Sequence, residues 1–395
     1  MKYKMYISKN IYTVTKGFVD GGVVVEGNKI KAVCNRNMLK LYKKESKIID
    51  FGENLMMPGF IDGHTHMLPY FKKADLSEAE SIEECVKIIK AFYKENKNLE
   101  MIVGDKWYAA NWGGMLPTAK DIDAVIFDRP FYAMDMDVHL LWINQAFMNE
   151  LGLNKNTIES FSNGNIDMVD VDEDGNPTGI LRDKVAMDTF LKYRPKNTEE
   201  SIKEMYAEWL RYGVTAINDM DFFTPKSEMV SWARKFEKEG RLFVRTFLSM
   251  DAEEMDSTLI KEAKKMDSDM LRFNSLKAFM DGTGGGYTAY MLKPYRNKKD
   301  RGRAYLTEDT IVSYLKIASK YGLALHTHCC GDAAVHEVLN AYERAKKEGV
   351  VFDKRFSMEH CDTTALEDVP RPARLGISLN LTPDFLAPTK YWKDN

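Results

Sequence analysis

The sequence predicts an α/β fold built on a TIM-like (β/α)₈ barrel, and three observations point to it. Helical and strand-like segments alternate regularly in the second half of the chain, which is typical of parallel βα units. Four histidines end strand-like segments, and in barrels of this type the functional groups lie at the carboxyl ends of the strands. The length of 395 residues accommodates a barrel of about 250 residues together with accessory parts.

The alternation can be followed segment by segment. Amphipathic helices are predicted over 198–213, 224–240 and 307–322, and each begins near threonine and stops at glycine, in line with capping preferences. A strand-like run follows each helix. The predicted barrel strands end near His66, Met220, Ser249, Asp281, His328, His360 and Leu381. These are seven strands rather than eight, so we expect the C-terminal part of the barrel to be missing.

Two further regions accompany the barrel, which we assign to residues 55–75 and 200–395. Residues 1–54 alternate short β-like runs with Gly and Asn turns, which predicts a small β-domain whose C-terminal half is absent. Residues 76–199 are predicted to form an inserted α+β segment that covers the active site. A capping-box pattern at Ser81 opens its first helix, and Asp174-Gly175 marks a hairpin within it.

The composition excludes several classes of function. A net charge of −3 creates no field that would attract nucleic acid or anionic lipid. No segment approaches the roughly 18 apolar residues of a membrane span, and the N-terminus lacks the apolar core of a signal peptide. Five cysteines without zinc-finger spacing argue against a disulfide framework and for a reducing compartment. We therefore expect a cytoplasmic protein that acts on a small molecule.

The histidines suggest a metal site. His64 and His66 end an apolar run, 56–67, that reads as a buried strand, and residues i and i+2 of a strand share a face. His328 and His360 end two later strand-like runs. A single strand-end histidine is more often structural, but the clustering of several in apolar segments favours one shared ion. A thiolate from Cys329, Cys330 or Cys361 is an alternative ligand, which we do not expect because neighbours on a strand point to opposite faces.

Lys277 lies within the apolar strand-like run FNSLKAFMDG. A charged lysine is costly to bury, so it should be paired, neutral or chemically modified. One interpretation is a salt bridge to Asp281 or to another carboxylate. The other is a carbamate formed with CO₂, which would turn the cation into an anionic bridge between two metals.

These motifs together resemble the amidohydrolase superfamily, and within it the branch called amidohydrolase family 3. The resemblance rests on four ordered segments, which are PGFIDGHTH at 58–66, KAFMDGTGGGYTA at 277–289, HCCGDAAV from His328, and SMEH ending at His360. Segments within 76–199 resemble landmarks of the same family. The similarity extends over nearly the whole chain.

The resemblance implies a ligand set and a reaction. His64 and His66 would bind one divalent ion, His328 and His360 a second, and Lys277 would bridge them as a carbamate. One or two ions are expected, most plausibly zinc. Such a site activates water for attack on a C–N bond.

One member of the family pattern is absent. The resemblance implies a proton-accepting Asp at the end of an eighth strand, and the sequence carries no such strand. Three explanations remain open: a truncated hydrolase, a naturally short and catalytically impaired metal-binding protein, or a substitute base at Asp384 or Asp281. The catalytic base is therefore unknown. An open seven-strand barrel would also leave strand edges unpaired, which predicts poor solubility or association into a homo-oligomer.

Several residues are candidates for contact with substrate: His139, Trp107, Asp281 and His326. His139 resembles a pocket-facing histidine of the family, although a structural role fits equally well. Packing in the barrel is slightly favoured for His326, and His336 is expected to lie on a solvated helix face. We predict hydrolysis of a non-peptide C–N bond in an amide, an N-substituted formamide or a cyclic amide. Deamination of an aminated heterocycle is the alternative reaction.

Overall fold

The computed structural model describes residues 1–66, 71–221, 225–296, 299–353 and 355–382. The chain forms two compact units, one of Met1–Asp62 with Trp209–Ala216 and one of Gly63–Glu208 with Ile217–Asn395. Strands and helices are numbered below in chain order. In the described ranges, no helix is long and apolar enough to cross a membrane.

The first unit contains a five-stranded sheet. Its strands are β1 (Tyr3–Tyr12), β2 (Phe18–Glu26), β3 (Lys29–Asn35), β4 (Ser46–Asp50) and β5 (Leu55–Met56). The order is β3-β2-β1-β4, with β5 paired to β1. β1, β2 and β3 are antiparallel, whereas β4 and β5 run parallel to β1. One face of the sheet buries Met5, Val24 and Cys34 in a small apolar core.

A seven-stranded sheet forms the barrel. Its strands are β6 (Phe60–Thr65), β13 (Val214–Asp219), β14 (Arg245–Asp251), β15 (Leu271–Phe279), β16 (Ala324–Cys329), β17 (Ser357–His360) and β18 (Ser378–Asn380). They follow one another in the order β18-β17-β16-β15-β14-β13-β6. The pairs from β14 to β18 are parallel. The predicted TIM-like α/β architecture is thus confirmed, and each predicted strand end lies within about two residues of an observed one.

The two outermost strands of this sheet approach each other near the histidines. A Cβ atom built on Gly63 of β6 would lie 3.7 Å from the Oδ1 atom of Asn380 in β18. The Asn380 amide in turn donates to Glu359 Oε1 at 3.0 Å. The sheet is therefore almost closed at the level where the candidate site lies.

Helices connect the barrel strands as the alternation predicts. They are α6 (Glu199–Arg211), α7 (Glu228–Lys238), α8 (Ser257–Lys264), α9 (Glu308–Tyr321), α10 (Asp332–Lys347) and α11 (Arg371–Leu375). Thr307 caps α9 by accepting a hydrogen bond from the Thr310 N–H. Gly322 then ends α9 with φ of 66°, a left-handed conformation that glycine adopts without strain.

The insertion forms a third sheet with its own helices. Its strands are β7 (Ala74–Asp75), β8 (Ile102–Trp107), β9 (Phe131–Asp135), β10 (Leu140–Ile143), β11 (Val169–Val171) and β12 (Pro177–Arg182). Its helices are α1 (Ile82–Glu95), α2 (Ala119–Asp123), α3 (Gln145–Leu151), α4 (Ile158–Phe161) and α5 (Asp183–Tyr193). The hairpin expected at Asp174-Gly175 joins β11 and β12, which pair antiparallel.

The helix predicted from Ser81 is α1, and its capping differs slightly from the prediction. The Ser81 hydroxyl accepts a hydrogen bond from the Glu84 N–H, as expected. The Glu84 carboxylate, however, accepts from the N–H of Glu80 rather than of Ser81. Half of the capping box is therefore present, and the other half is displaced by one residue.

The first barrel strand is not buried, which corrects the sequence interpretation. Phe60 and Ile61 are 56% and 69% exposed. The run is apolar enough for a central barrel strand, but β6 lies at one end of the sheet order. An edge strand has only one neighbour to cover it, and sequence hydrophobicity alone does not reveal that position.

Candidate metal centre and active site

Four histidines converge at the carboxyl ends of the barrel strands. The ring centroid of His64 lies 5.3 Å from that of His66 and 4.7 Å from that of His360. The rings of His360 and His328 are 4.5 Å apart. Strands β6, β16 and β17, which are distant in sequence, therefore deliver their terminal imidazoles to one place. This is the arrangement that the sequence predicts for a metal site.

His360 reaches this place because the backbone departs from the strand conformation there. Its φ is 71°, and that of Cys361 is 52°, both in a region that residues other than glycine rarely adopt. Regular alternation would turn His360 away from the face that Glu359 occupies. The left-handed turn at the end of β17 lets both side chains approach His64. Strained backbone of this kind concentrates at functional sites.

Two carboxylates orient the histidines of the His-x-His motif. Nδ1 of His64 lies 2.5 Å from Glu359 Oε2, and Nδ1 of His66 lies 2.7 Å from Asp221 Oδ1. A protonated Nδ1 that donates to a carboxylate leaves Nε2 as the lone-pair nitrogen. Both imidazoles are thus held in the tautomer that binds a metal through Nε2.

Burial keeps the imidazoles uncharged. Desolvation, followed by the nearby charge of Lys277, lowers the pKa of His64 to about 4. Burial likewise lowers the pKa of His328 and of His360 well below the ordinary value. Neutral imidazole is the form that coordinates a cation, so these groups are ready to act as ligands at neutral pH.

Lys277 lies fully buried beside the histidines. Its Nζ atom has no hydrogen-bond partner among the described residues, and it stands 4.9 Å from the ring centroid of Phe279. Burial lowers the pKa of Lys277 to about 8, although the charge of Glu359 opposes this shift. Within its described ranges the structure records no ion pair between Lys277 and Asp281 or any other carboxylate, so the salt-bridge interpretation was wrong. A buried amine without a partner is costly and calls for another explanation.

The donor set fits a divalent metal ion. Neutral imidazoles are preferred ligands of zinc and of related first-row metals. The unpartnered Lys277 amine lies where a further ligand would be needed, and a carbamate there would supply oxygen donors. His64, His66, His328, His360 and a modified Lys277 are therefore the residues that would hold the metal.

Asp281 is engaged by the backbone rather than by a ligand pocket. Its carboxylate accepts hydrogen bonds from the N–H groups of Tyr290, Gly331 and Cys330, at 2.8, 2.8 and 2.9 Å. This network ties the loop after β15 to the start of α10. Asp281 was predicted to contact substrate or to replace the missing base, and this stays a prediction, because the anchored carboxylate also lies 3.9 Å from Nε2 of His328.

Cys330 lies closer to the site than expected. Its Sγ atom is 3.4 Å from Nε2 of His328, because residue 330 is two positions after the histidine and shares its face. The argument against a nearby thiol therefore fails for Cys330. The same Nε2 lies 3.1 Å from the carbonyl of Gly282. Asp281, His328 and Cys330 each bring one possible ligand atom within 4.8 Å of the others, so Cys330 stays an alternative ligand.

His139 lies over the site from the insertion. Its ring centroid is 5.1 Å from that of His328, and its Nδ1 is 2.7 Å from Asp183 Oδ1. Tyr305 donates a hydrogen bond to the other oxygen of Asp183 at 2.7 Å. Burial by itself lowers the pKa of His139, but the hydrogen bond and the charge of Asp183 raise it above its ordinary value overall. The structure thus brings this predicted substrate contact to the metal ligands.

Trp107 and His326 take different positions from His139. Trp107 is fully buried in the core of the insertion, where its indole N–H donates to the Ala133 carbonyl, so it is not a pocket wall. His326 lies inside the barrel, with Nδ1 2.5 Å from the Ser357 hydroxyl and 3.4 Å from Glu359. The packing interpretation fits this placement of His326.

Sequence predictions were also made for His336 and Asp384. His336, expected to be solvated, is 39% exposed and also lies 3.0 Å from the Asp368 carboxylate. Asp384, considered as a substitute base, lies outside the described residues. Glu359 and Asp221 were missed as functional residues. The Glu of the SMEH segment was visible in the sequence, but its partner is 295 positions away.

Comparison with known proteins identifies the family of this chain. The sequence model of the amidohydrolase family matches residues 47–395, and the chain therefore belongs to that family. "Putative amidohydrolase YtcJ" of Bacillus subtilis (strain 168) is 26% identical over 398 residues, which cover 97% of this chain and 73% of the relative. "N-substituted formamide deformylase" of Arthrobacter pascens is 22% identical over 408 residues, with the same two coverages.

The fold is shared with a solved structure. An uncharacterized metal-dependent hydrolase from Pyrococcus horikoshii OT3 superposes with a TM-score of 0.69 at 23% sequence identity. The match covers 97% of this chain and 75% of that chain. This likeness supports the barrel architecture described above.

Proposed function

We propose that this protein is a metal-dependent hydrolase of a non-peptide C–N bond in a small amide, an N-substituted formamide or a cyclic amide. The observation that carries the proposal is the convergence of four histidines around a buried lysine amine that has no hydrogen-bond partner among the described residues. Membership of the amidohydrolase family supports the class of reaction. The name of the formamide deformylase relative supports the choice of substrates.

The proposed cofactor is one or two divalent metal ions, and zinc is the first choice because the donors are imidazoles. A divalent ion bound there would lower the pKa of a water molecule and polarise the carbonyl group that is attacked. Glu359 and Asp221 would keep His64 and His66 in the required tautomer. Lys277 would contribute as a carbamate, since the lowered pKa of about 8 leaves part of the amine neutral and nucleophilic near neutral pH.

His139 would contact the substrate from the side of the insertion. Its hydrogen bond to Asp183 fixes the orientation of the ring, and the Tyr305 hydroxyl fixes Asp183 in turn. A raised pKa makes the imidazolium form of His139 more accessible, which suits a donor to a carbonyl oxygen or to a departing nitrogen. Asp183 acts here as a positioning residue.

The first experiment measures metal per chain by elemental analysis and hydrolysis of a panel of formamides, acyl amides and lactams. We expect between one and two ions and the release of a carboxylic acid together with an amine. His64→Ala should remove both the metal and the turnover. His336→Ala is the matched control, because His336 pairs with Asp368 away from the metal ligands.

The same experiment separates the alternatives. Release of ammonia from an aminated heterocycle, without hydrolysis of any amide, would indicate a deaminase. Full metal content without turnover of either substrate class would indicate a metal-binding protein without catalysis. A chain that binds no metal after incubation with zinc would contradict the proposal itself.

A further inference from the structure

Two cysteines lie in contact directly behind the candidate metal ligands. Cys329 follows His328 at the end of β16, and Cys361 follows His360 at the end of β17. Their Sγ atoms are 3.8 Å apart. The Cys361 N–H donates to the Cys329 carbonyl at 3.0 Å, so the two backbones are also adjacent. The two cysteines are separated by 32 positions in sequence, and no spacing motif links them.

We propose that Cys329 and Cys361 form a reversible disulfide, which makes this pair a redox modification site beside the metal ligands. An S–S bond is about 2.0 Å long and joins residues whose Cα atoms are roughly 4.4–6.8 Å apart. Cys329 lies opposite His360 in the parallel pair of β16 and β17, so Cys361 is one position beyond the residue that faces Cys329. The sulfurs must therefore approach by about 1.8 Å, which is within reach of side-chain rotation and a small shift of the loop after β17.

The chemistry balances with a peroxide as oxidant. The Cys361 sulfur, the more exposed of the pair at 8%, attacks hydrogen peroxide, the O–O bond breaks, and a sulfenic acid and one water molecule form. The Cys329 sulfur then attacks the sulfenic sulfur, the S–S bond forms, and the S–O bond breaks to release a second water. Two thiols are oxidised, and one peroxide is reduced to two waters.

In the described geometry, Cys330 does not compete with Cys329 or Cys361 for formation of the disulfide. Its Sγ atom lies against Nε2 of His328 at 3.4 Å, and its thiol also hydrogen-bonds Asp362. Cys34 lies in the first compact unit and Cys85 in α1, in other apolar cores. The proximity of sulfurs therefore singles out Cys329 and Cys361.

Bond formation would act on the metal ligands next to it. Cys361 already has a positive φ, so drawing its sulfur toward Cys329 would move the adjoining His360 backbone. We expect the oxidised chain to hold metal less tightly, and this consequence rests on the proposed function. The disulfide itself does not depend on metal binding.

To test the proposal, the folded 395-residue chain is treated with hydrogen peroxide and then unfolded, and its free thiols are titrated. The five thiols should fall to three, dithiothreitol should restore them, and a peptide map should link Cys329 to Cys361. Cys361→Ser should abolish the link, and Cys34→Ser, the matched control, should retain it. Persistence of all thiols, or a link through Cys330, would overturn the pairing. If Cys361→Ser does not fold, Cys329→Ser serves the same purpose.

Metal content is measured on the same samples. A loss of metal that follows oxidation and reverses on reduction supports the regulatory consequence. A disulfide that forms without any change in metal content overturns that consequence and leaves the modification site established. Failure of the proposed function would instead appear as absence of metal in the reduced chain.

Discussion

Glu359 Oε2 lies 2.5 Å from Nδ1 of His64, where a fully buried carboxylate at the end of β17 meets a partly buried imidazole at the end of β6. The remaining oxygen of Glu359 accepts hydrogen bonds from the Ser357 hydroxyl and from the Asn380 amide. Two side chains thus hold the carboxylate, and the carboxylate holds the imidazole in turn. A carboxylate that orients a metal-binding histidine also raises the basicity of the coordinating nitrogen.

Glu359→Gln is therefore expected to weaken metal binding without removing a ligand. Loss of such an orienting partner typically costs about 10–100-fold in metal affinity. Competition with a chelator of known affinity measures the effect. Glu343→Gln is the control, because Glu343 of α10 pairs with Arg371 of α11 and stands outside the site. An affinity equal to that of the parent chain would show that Glu359 does not position His64.

Lys277→Met is expected to raise the stability of the metal-free chain and to lower its metal content. Burial lowers the pKa of Lys277 from 10.5 to about 8. The folded state therefore disfavours the charged amine, so stability is lost as pH falls from about 10.5 toward 8. At pH 7 the cost is about 3 kcal/mol, at 1.36 kcal/mol per pKa unit. The metal-free variant should accordingly be more stable than the parent at pH 7 and about equally stable near pH 10.5.

The same variant should bind fewer metal ions, because methionine cannot be carbamylated. Thermal unfolding and elemental analysis of both proteins give the two readouts. Lys264→Met, at an exposed position of α8, controls for the loss of a lysine. A variant that is less stable without metal, or that binds as much metal as the parent, would count against the role assigned to Lys277.

The local patterns of the sequence predicted most of the barrel. The alternation of helical and strand-like hydrophobic patterns located seven strands. The caps at Thr307 and Gly322 follow from rules that act within a few residues. His64 and His66 were found because strand geometry fixes the relation of residues i and i+2. These features depend on neighbours in the chain.

The features that escaped prediction depend on contacts between distant segments. The Glu359 partner of His64 and the Asp221 partner of His66 lie 295 and 155 positions away. The aromatic pattern around Trp107 suits a pocket wall and a buried core equally, and only tertiary packing decides between them. The exposure of Phe60 was hidden because hydrophobicity does not report the position of a strand within its sheet.

Asp281→Asn distinguishes an anchoring carboxylate from a catalytic base. Asp281 now accepts hydrogen bonds from three backbone N–H groups. An asparagine would present its NH₂ group to one of these N–H groups, and two donors would then face each other. A buried donor without an acceptor costs about 1–3 kcal/mol, so the melting temperature should fall. Thermal unfolding of metal-free protein detects this change. Asp188→Asn, at an exposed position of α5, is the control. A catalytic base would instead lose kcat at unchanged stability, and that result would contradict the anchoring role.

Asp251→Asn should change how stability depends on pH. Burial raises the pKa of Asp251 from 3.8 to about 6, against the opposing hydrogen bond from the Glu253 N–H. Between these two pH values the unfolded chain has lost the proton while the folded chain retains it. The folded state then binds more protons, and stability falls as pH rises through this window.

Asparagine keeps an oxygen that can accept the Glu253 N–H and removes the titration. The variant should match the parent near pH 4 and exceed it above pH 6 by about 1–2 kcal/mol, a figure reduced to allow for solvent screening of a partly exposed group. Thermal unfolding of both proteins in a pH series from 4 to 8 measures the difference. A stability difference that stays constant over this series would show that Asp251 titrates alike in the folded and unfolded chains.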